Sequence, residues 1–505
     1  MSARRLALAA VLTAAFALAG PALAQQNGTT LRIGLQEDPD LLDPVRANTF
    51  VGRVVFAALC DKLVDINERL ELVPMLATSW EWSEGGRLLT MQLRSDARFH
   101  DGTPFNAEAV KANLDRARTQ PDSRRRSELA SIEAVEVAGP HSVRIRLTRP
   151  DATLLAQFTD RAGMMASPAA FGPELGARPV CAGPYRFVER VQNDRIVLER
   201  FREHWRAGEY HFDRIVYRAI PDNTVRLANL RAGDLDIIER MAPSDVASAR
   251  GDRNLRVALI TSLGYQGITF NVGNGARADN PAGRDRRVRQ ALSLAIDREV
   301  LNQVVFEGLN TPTVQPLPPA SFAHNPDLRV PARDIGRARA LLREAGHERI
   351  TLEVQLGNST VGQQVGQVIQ AMAAEAGFDL RLRATEFATM IRDQNAGNFQ
   401  VNLVGWSGRP DPDGNTHVFW RTGGGQNDGR YSDPEVDRLL DAARETPDRA
   451  ERRRLYDQVQ AITQQDLPIV YLYFPQWIYA LNRRVEGFTP VPDGIIRLEG
   501  VRLAR

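Results

Sequence analysis

Lysine is almost missing from this chain: Lys62 and Lys111 are the only two among 64 basic residues in a length of 505. Lys62 follows Asp61 and Lys111 follows Val110, so no Gly-Lys-Ser/Thr loop exists to cradle a nucleotide phosphate, and ATP hydrolysis by that route is excluded. Neither lysine stands three residues after a serine, and neither a Gly-x-Ser-x-Gly elbow nor a His-Glu-x-x-His pair occurs, so the common hydrolase signatures are missing. The seven histidines are scattered, with His204 and His211 the closest pair, which gives a metal site no support from spacing. Asp411, Asp413 and Asn415 alternate as calcium-loop ligands do. Thr416 stands where such a loop needs glycine, however, and Thr422 where it needs glutamate, so the segment reads as a turn. No metal and no cofactor is expected. Beyond the amino terminus no run approaches the ~20 apolar residues that span a bilayer.

What is present bounds the answer further. Hydrophobic residues make up 43% and charged residues 25% of the chain, enough apolar content for a core and too much chain for only one. A single core stops growing near ~250–300 residues, so at least two lobes are expected. Arg4 and Arg5, an apolar run from Leu6 to Gly20, and Pro21-Ala22-Leu23-Ala24 before Gln25 read as a secretory signal peptide over residues 1–24. Its removal takes two positive charges with it and leaves a formal net charge of zero. That balance gives no electrostatic case for nucleic acid or an anionic membrane. No cysteine follows the apolar run, so the product is expected to be soluble, exported and periplasmic rather than lipid-anchored. In that oxidising compartment the only two cysteines, Cys60 and Cys181, favour a disulfide, with two isolated buried thiols as the alternative.

Along the chain, Leu31-Arg32-Ile33-Gly34-Leu35 alternates as a strand and Gln36 to Pro44 is a polar loop. Residues 50–179 carry short strands and hairpins: Leu89, Met91 and Leu93 share one face, and Val135 and Val137 lead through Gly139-Pro140 into Val143, Ile145 and Leu147. Among them lies one helix capped by Asn106. A single long helix is expected from Asp285 as cap to Gly308 as stop. Leu352-Val354-Leu356 followed by a helix from Val361 to Ala376 makes a β-α-β unit. Val401 to Val404 is a buried strand running into the loop Gly405 to Asn415, Asp433-Pro434 opens a further helix, and Ile469 to Leu481 reads as one aromatic-rich strand. The class is α/β.

Several segments together resemble the extracytoplasmic solute-binding proteins of the dipeptide/oligopeptide/nickel family, which serve ABC importers. They are Leu76-Ala77-Thr78-Ser79-Trp80, Arg98-Phe99-His100-Asp101-Gly102-Thr103-Pro104-Phe105-Asn106-Ala107, Gly183-Pro184-Tyr185-Arg186-Phe187, Arg231-Ala232-Gly233-Asp234-Leu235-Asp236, and Arg287-Val288-Arg289-Gln290-Ala291-Leu292 with Ala295-Ile296-Asp297-Arg298. The resemblance implies a two-lobed, type II periplasmic binding protein fold with a hinge between the lobes and an extra inserted domain. By analogy the first lobe takes residues 25–52, 180–269 and 481–505, the insertion 53–179, and the second lobe 270–480. The crossings then fall near Phe270-Asn271 and Ala480-Leu481. The disulfide, if formed, ties the insertion to the first lobe. The family also implies a monomer that closes on a small solute and delivers it to separate permease and ATPase subunits.

Strand ends facing a crevice are where open α/β sheets bind ligands, which singles out Trp406, Ser407, Gly408, Arg409 and Asp411. In peptide-binding relatives the position three after this Trp is acidic and meets the peptide amino terminus. Here it is Arg409, whose planar fork suits a carboxylate, so the expected solute is peptide-like or carboxylate-bearing. Asp411 and Asp413 are the nearby carboxylates that offer Arg409 an internal partner instead. Asn358 and Ser359 match another pocket-lining region of relatives, and Gln36 faces the cleft from the first lobe; helix caps and turns are the plainer reading of Asn and Ser there. Three alternatives stand beside the transport reading: an enzyme, against which the missing motifs argue, a receptor or chaperone reporting ligand occupancy, and a nickel-like metal-chelate binder.

Overall fold

Leu31, Ile33 and Leu35 alternate along one strand and are all buried, which makes that strand the centre of the first of two large sheets. The computed structural model describes residues 29–504, so the expected signal peptide and its cleavage site before Gln25 lie outside the described residues. The first sheet has seven strands in the order Leu255–Thr261, Gln476–Asn482, Ile237–Ile238, Thr30–Leu35, Arg214–Ala219, Arg195–Arg200, Tyr185–Val191. Thr30–Leu35 runs parallel to both of its neighbours, and the outer pairs are antiparallel. The second sheet has six strands: Thr311–Pro312, Ile469–Phe474, Tyr265–Phe270, Val401–Trp406, Ile350–Gly357, Phe378–Thr385. Its last two strands are parallel and joined by the helix Thr360–Ala374, the expected β-α-β unit. That helix and Arg286–Ala295 cover one face of the sheet, while Pro434–Glu445 and Arg449–Asp466 cover the other.

A four-stranded antiparallel sheet, Ala77–Ser83, Leu88–Leu93, Ser142–Leu147, Ile132–Gly139, stands apart on its own core, built of Leu89, Met91, Val143, Ile145 and Phe105 under the helix Ala107–Thr119. Asn106 caps that helix by accepting the amide N–H of Ala109 at 2.9 Å. Among the described residues no helix is long and apolar enough to cross a membrane.

The pairing moves the expected divisions. The helix Phe50–Leu59 buries Val51, Val54, Val55 and Leu59 in the same core as Leu31 and Ile33, so a boundary at residue 53 would cut a first-lobe helix, and the chain leaves that lobe only after Cys60. It returns at Cys181, and the structure joins Cys60 to Cys181 by a disulfide with a Cα–Cα distance of 4.9 Å. The bond therefore closes the base of the insertion. The crossings also shift. Leu255–Thr261 lies in the first sheet and Tyr265–Phe270 in the second, so the chain crosses at residues 262–264 and not near Asn271. It crosses back at Pro475, between Ile469–Phe474 and Gln476–Asn482, and not near Leu481. Pro475 has no N–H to keep one ladder running, which is why the apparent single strand divides between two sheets. The two crossings touch: the Ser262 N–H donates to the Pro475 carbonyl at 2.9 Å. The expected single helix to Gly308 is likewise two, Arg286–Ala295 and Arg298–Phe306, because Asp297 turns outward and caps the second by accepting from the Val300 N–H at 2.9 Å.

Candidate functional site

Trp406 ends the strand Val401–Trp406, and the loop behind it presses backbone to backbone on the first crossing. Gly408 has φ 82°, and a Cβ added there would lie 2.2 Å from the Leu263 carbonyl carbon. One added to Gly264 would lie 1.8 Å from the Trp406 oxygen and 2.7 Å from the Ser407 carbonyl carbon. Only glycine fits such contacts. Asn415, 1% exposed, fixes this junction. Its Oδ1 accepts from Trp406 Nε1 at 3.0 Å and from the Arg409 amide at 2.9 Å, while its Nδ2 donates to the Leu263 carbonyl at 3.2 Å. The Arg409 guanidinium carbon then sits 4.6 Å from the Trp406 ring centroid, and the indole also meets Phe419 edge-on at 5.2 Å.

Neither neighbouring carboxylate is the partner of Arg409. Asp411 is held by both Arg452 nitrogens at 2.6 and 2.8 Å, and Asp413 by Arg444 at 2.6 and 3.0 Å, so each fastens its loop to a helix. Asp411, expected near the ligand, is thereby neutralised in place. Arg409 instead reaches Asp160 of the insertion, Nε to Oδ2 at 3.4 Å. Arg53 of the first-lobe helix meets the same carboxylate, donating from Nε to Oδ1 at 3.1 Å. Burial alone would raise the pKa of Asp160, but Arg53, Arg409 and Arg161 together hold it well below the usual carboxylate range. Burial draws Arg409 down to about 10 in spite of Asp160.

From Arg53 a line of contacts runs along the first lobe. Phe50 lies under Arg53 at 5.7 Å, stacks on Trp477 with centroids 4.6 Å apart, and carries Arg240 on its ring at 4.6 Å. Arg240 donates to Gln36 Oε1 at 3.3 Å, and the Gln36 amide donates to Glu239 Oε1 at 2.8 Å. Trp406, Arg409 and Gln36 thus lie on one chain of contacts that starts in the second lobe, passes the insertion and ends in the first. Asn358 and Ser359 do not join it. Both are exposed: Ser359 caps the helix Thr360–Ala374 by accepting from the Gly362 N–H at 3.1 Å, and the Asn358 amide donates to the Thr385 carbonyl at 3.0 Å.

Sequence reasoning missed Arg53, Asp160, Arg161, Arg240 and the role of Asn415. For Arg53 there was a signal. It is the only charged residue in FVGRVVFAAL, and a lone arginine in an apolar helix needs a partner.

Residues 71–427 match the family described as bacterial extracellular solute-binding proteins, family 5 Middle. The chain belongs to that family. It is 32% identical over 519 residues to the glutathione-binding protein GsiB of Pectobacterium atrosepticum, covering 99% of this chain and 98% of the relative. It is 30% identical over 468 residues to GsiB of Escherichia coli O1:K1 / APEC, covering 90% of each. Among solved structures, the binding protein AgaA from A. tumefacien R10 in complex with agropinic acid superposes with a TM-score of 0.85 at 26% identity, over 94% of this chain and 99% of that one. The oligopeptide-binding protein AppA of Bacillus subtilis, in complex with a nonapeptide, superposes equally well, 0.85, at 23% identity over 95% and 99%, a likeness of fold. This family 5 protein is accordingly a solute-binding protein and not an enzyme, the substrate-binding component of an ABC importer.

Proposed function

We propose that the mature protein works in the periplasm once residues 1–24 are removed, takes a short peptide-like solute between its two large sheets, and hands it to a membrane permease driven by a separate ATPase. The solute lies against Trp406 and Arg409 on one side and against Phe50 and the Gln36 loop on the other. The observation that supports this most is the junction at Asn415: the loop carrying Trp406 and Arg409 is fastened to the crossing at Leu263, so what touches that loop also bears on the connection between the lobes. The glutathione-binding relatives, similar over nearly the whole chain, make glutathione the first solute to try.

Isothermal titration of purified protein with glutathione and a set of short peptides, preceded by mass spectrometry of whatever native purification retains, tests the reading. Saturable binding of a peptide-like molecule with one site per chain is expected. A retained ligand of another chemical class, together with no heat from any peptide, would overturn it.

A further inference from the structure

Four arginines converge where Arg409 meets the insertion, and their charge is not balanced. Arg53, Arg409 and Arg161 lie 3.0, 3.4 and 3.9 Å from Asp160, Arg125 donates from Nη1 to Glu128 Oε1 at 2.6 Å, and among the described residues no third carboxylate forms an ion pair with any of the four. Arg161 donates from Nη1 to the Ala47 carbonyl at 2.9 Å, and Arg125 reaches the same oxygen from Nη2 at 3.5 Å. Four guanidinium groups thus face two carboxylates in a region where Arg53 is 4% and Arg161 3% exposed. Three of their nitrogens, Arg53 Nη1, Arg125 Nε and Arg161 Nε, are buried without a hydrogen-bond partner. An unmatched buried charge is costly, and a scaffold without further use for these residues would pair or replace them.

Other buried arginines of this protein show what a purely structural one looks like. Arg452 and Arg444 each grip a carboxylate of their own, and Arg298 is satisfied by the Tyr471 and Ser293 carbonyls and the Ser293 hydroxyl. What sets the cluster at Asp160 apart is its surplus positive charge; an unpartnered guanidinium nitrogen alone does not, since Arg226 and Arg497 each have one, and in the cluster Asp160 Oδ2 is itself without a hydrogen-bond donor. Burial followed by the neighbouring guanidiniums lowers the Arg161 pKa to about 9, as unrelieved crowding of like charge should. The cluster also draws Arg409 from the second lobe to Arg53 of the first and Arg161 of the insertion, so an anion seated there would touch every part of the molecule that meets at the cleft.

We infer that Arg53, Arg125, Arg161 and Arg409 form an anion pocket which selects peptide-like solutes bearing at least two carboxylates over neutral ones, with Asp160 as the internal counter-ion. This rests on the cleft reading above and adds the charge class of the solute. Glutathione, with two carboxylates and one ammonium group, fits the class; a trialanine peptide, with one of each, does not.

The test titrates S-methylglutathione, its diethyl ester and trialanine into the wild type, Arg53→Gln and Arg161→Gln proteins, with circular dichroism as the check that each variant folds. The acid should bind the wild type about thirtyfold or more tightly than the ester or trialanine, as expected for losing one side of a buried charge pair, and Arg53→Gln and Arg161→Gln should each reduce that preference. Equal affinity for acid and ester, or a preference that persists in both variants, would overturn the pocket while leaving the peptide reading intact. If a variant fails to fold, the decision falls to the wild type's acid-to-ester ratio and to its weakening with added salt. If no peptide binds at all, the peptide reading fails. The pocket is then judged on glutarate, which should raise the melting temperature of the wild type more than that of Arg53→Gln; no rise in the wild type overturns it.

Discussion

Asn415 uses one amide to join three things: the indole of Trp406, the backbone of Arg409 and the crossing at Leu263. Its two donors and its acceptor oxygen are all engaged, which is what a buried amide requires. Asn415→Ala removes the side-chain oxygen from two donors and the side-chain nitrogen from a buried carbonyl, and leaving such groups unsatisfied costs about 1–3 kcal/mol apiece before relaxation. The expected outcome is a loss of about 2–4 kcal/mol in urea unfolding together with a change in tryptophan emission. Unfolding within experimental error of wild type would show that water replaces the amide without cost. Sequence alone presented Asn415 as part of a failed calcium loop, since alternating Asp and Asn side chains also describe a turn that fastens a loop. Which role applies depends on Leu263, about 150 residues away in sequence, and no local pattern carries that information.

At the scale of elements, the local signals were enough wherever a cap or a period acts alone. Asn106, Asp433 and the alternation of Leu352, Val354 and Leu356 place their helices and strand as found. They were not enough where one apolar run serves two sheets. Residues 469–481 are apolar almost throughout because both Ile469–Phe474 and Gln476–Asn482 are buried on both faces, and only Pro475 marks the change. The insertion shows the same contrast. Its hairpins were readable from alternation, but its start was not, since Phe50–Leu59 is apolar enough to suit either core. The disulfide marks that boundary in covalent form, with Cys60 and Cys181 separated by 121 residues at the exit and return of the chain. Closing a loop of this length contributes about 4–5 kcal/mol by the chain-entropy model. Because the insertion has a core of its own, reduction should loosen its attachment before it melts its sheet. Urea unfolding with and without reductant should show a lower midpoint on reduction and a split into two transitions; a single transition at an unchanged midpoint would mean that packing alone holds the base.

At the scale of the molecule, two crossings side by side make a narrow connection between large rigid bodies. Ser262 and Pro475 are bonded through their backbones, and the paired strands on either side belong to different sheets, so rotation there changes few contacts. Three of the contacts that would open join the insertion to the second lobe. The Ala152 amide donates to the Arg444 carbonyl at 2.8 Å, Arg149 lies 3.8 Å from Glu445, and Arg409 lies 3.4 Å from Asp160, each linking the insertion to the second lobe. Of the three, only the Arg409–Asp160 contact is a buried ion pair, with the arginine side chain 13% exposed. A solute bound between the lobes as proposed favours the arrangement in which these contacts are made over one in which they are broken, and draws the population toward it. Small-angle scattering should therefore show a smaller radius of gyration at saturating solute, with an unchanged far-ultraviolet dichroism spectrum because the lobes move as bodies. Asp160→Asn removes the counter-charge that Arg409 meets on closing, so without solute the variant should scatter as a more open particle than the wild type, and an anionic solute should still close it by supplying the missing charge. Identical scattering with and without a solute whose binding calorimetry has established, in both proteins, would mean that the crossings do not act as a hinge and that the solute enters a cleft already shut.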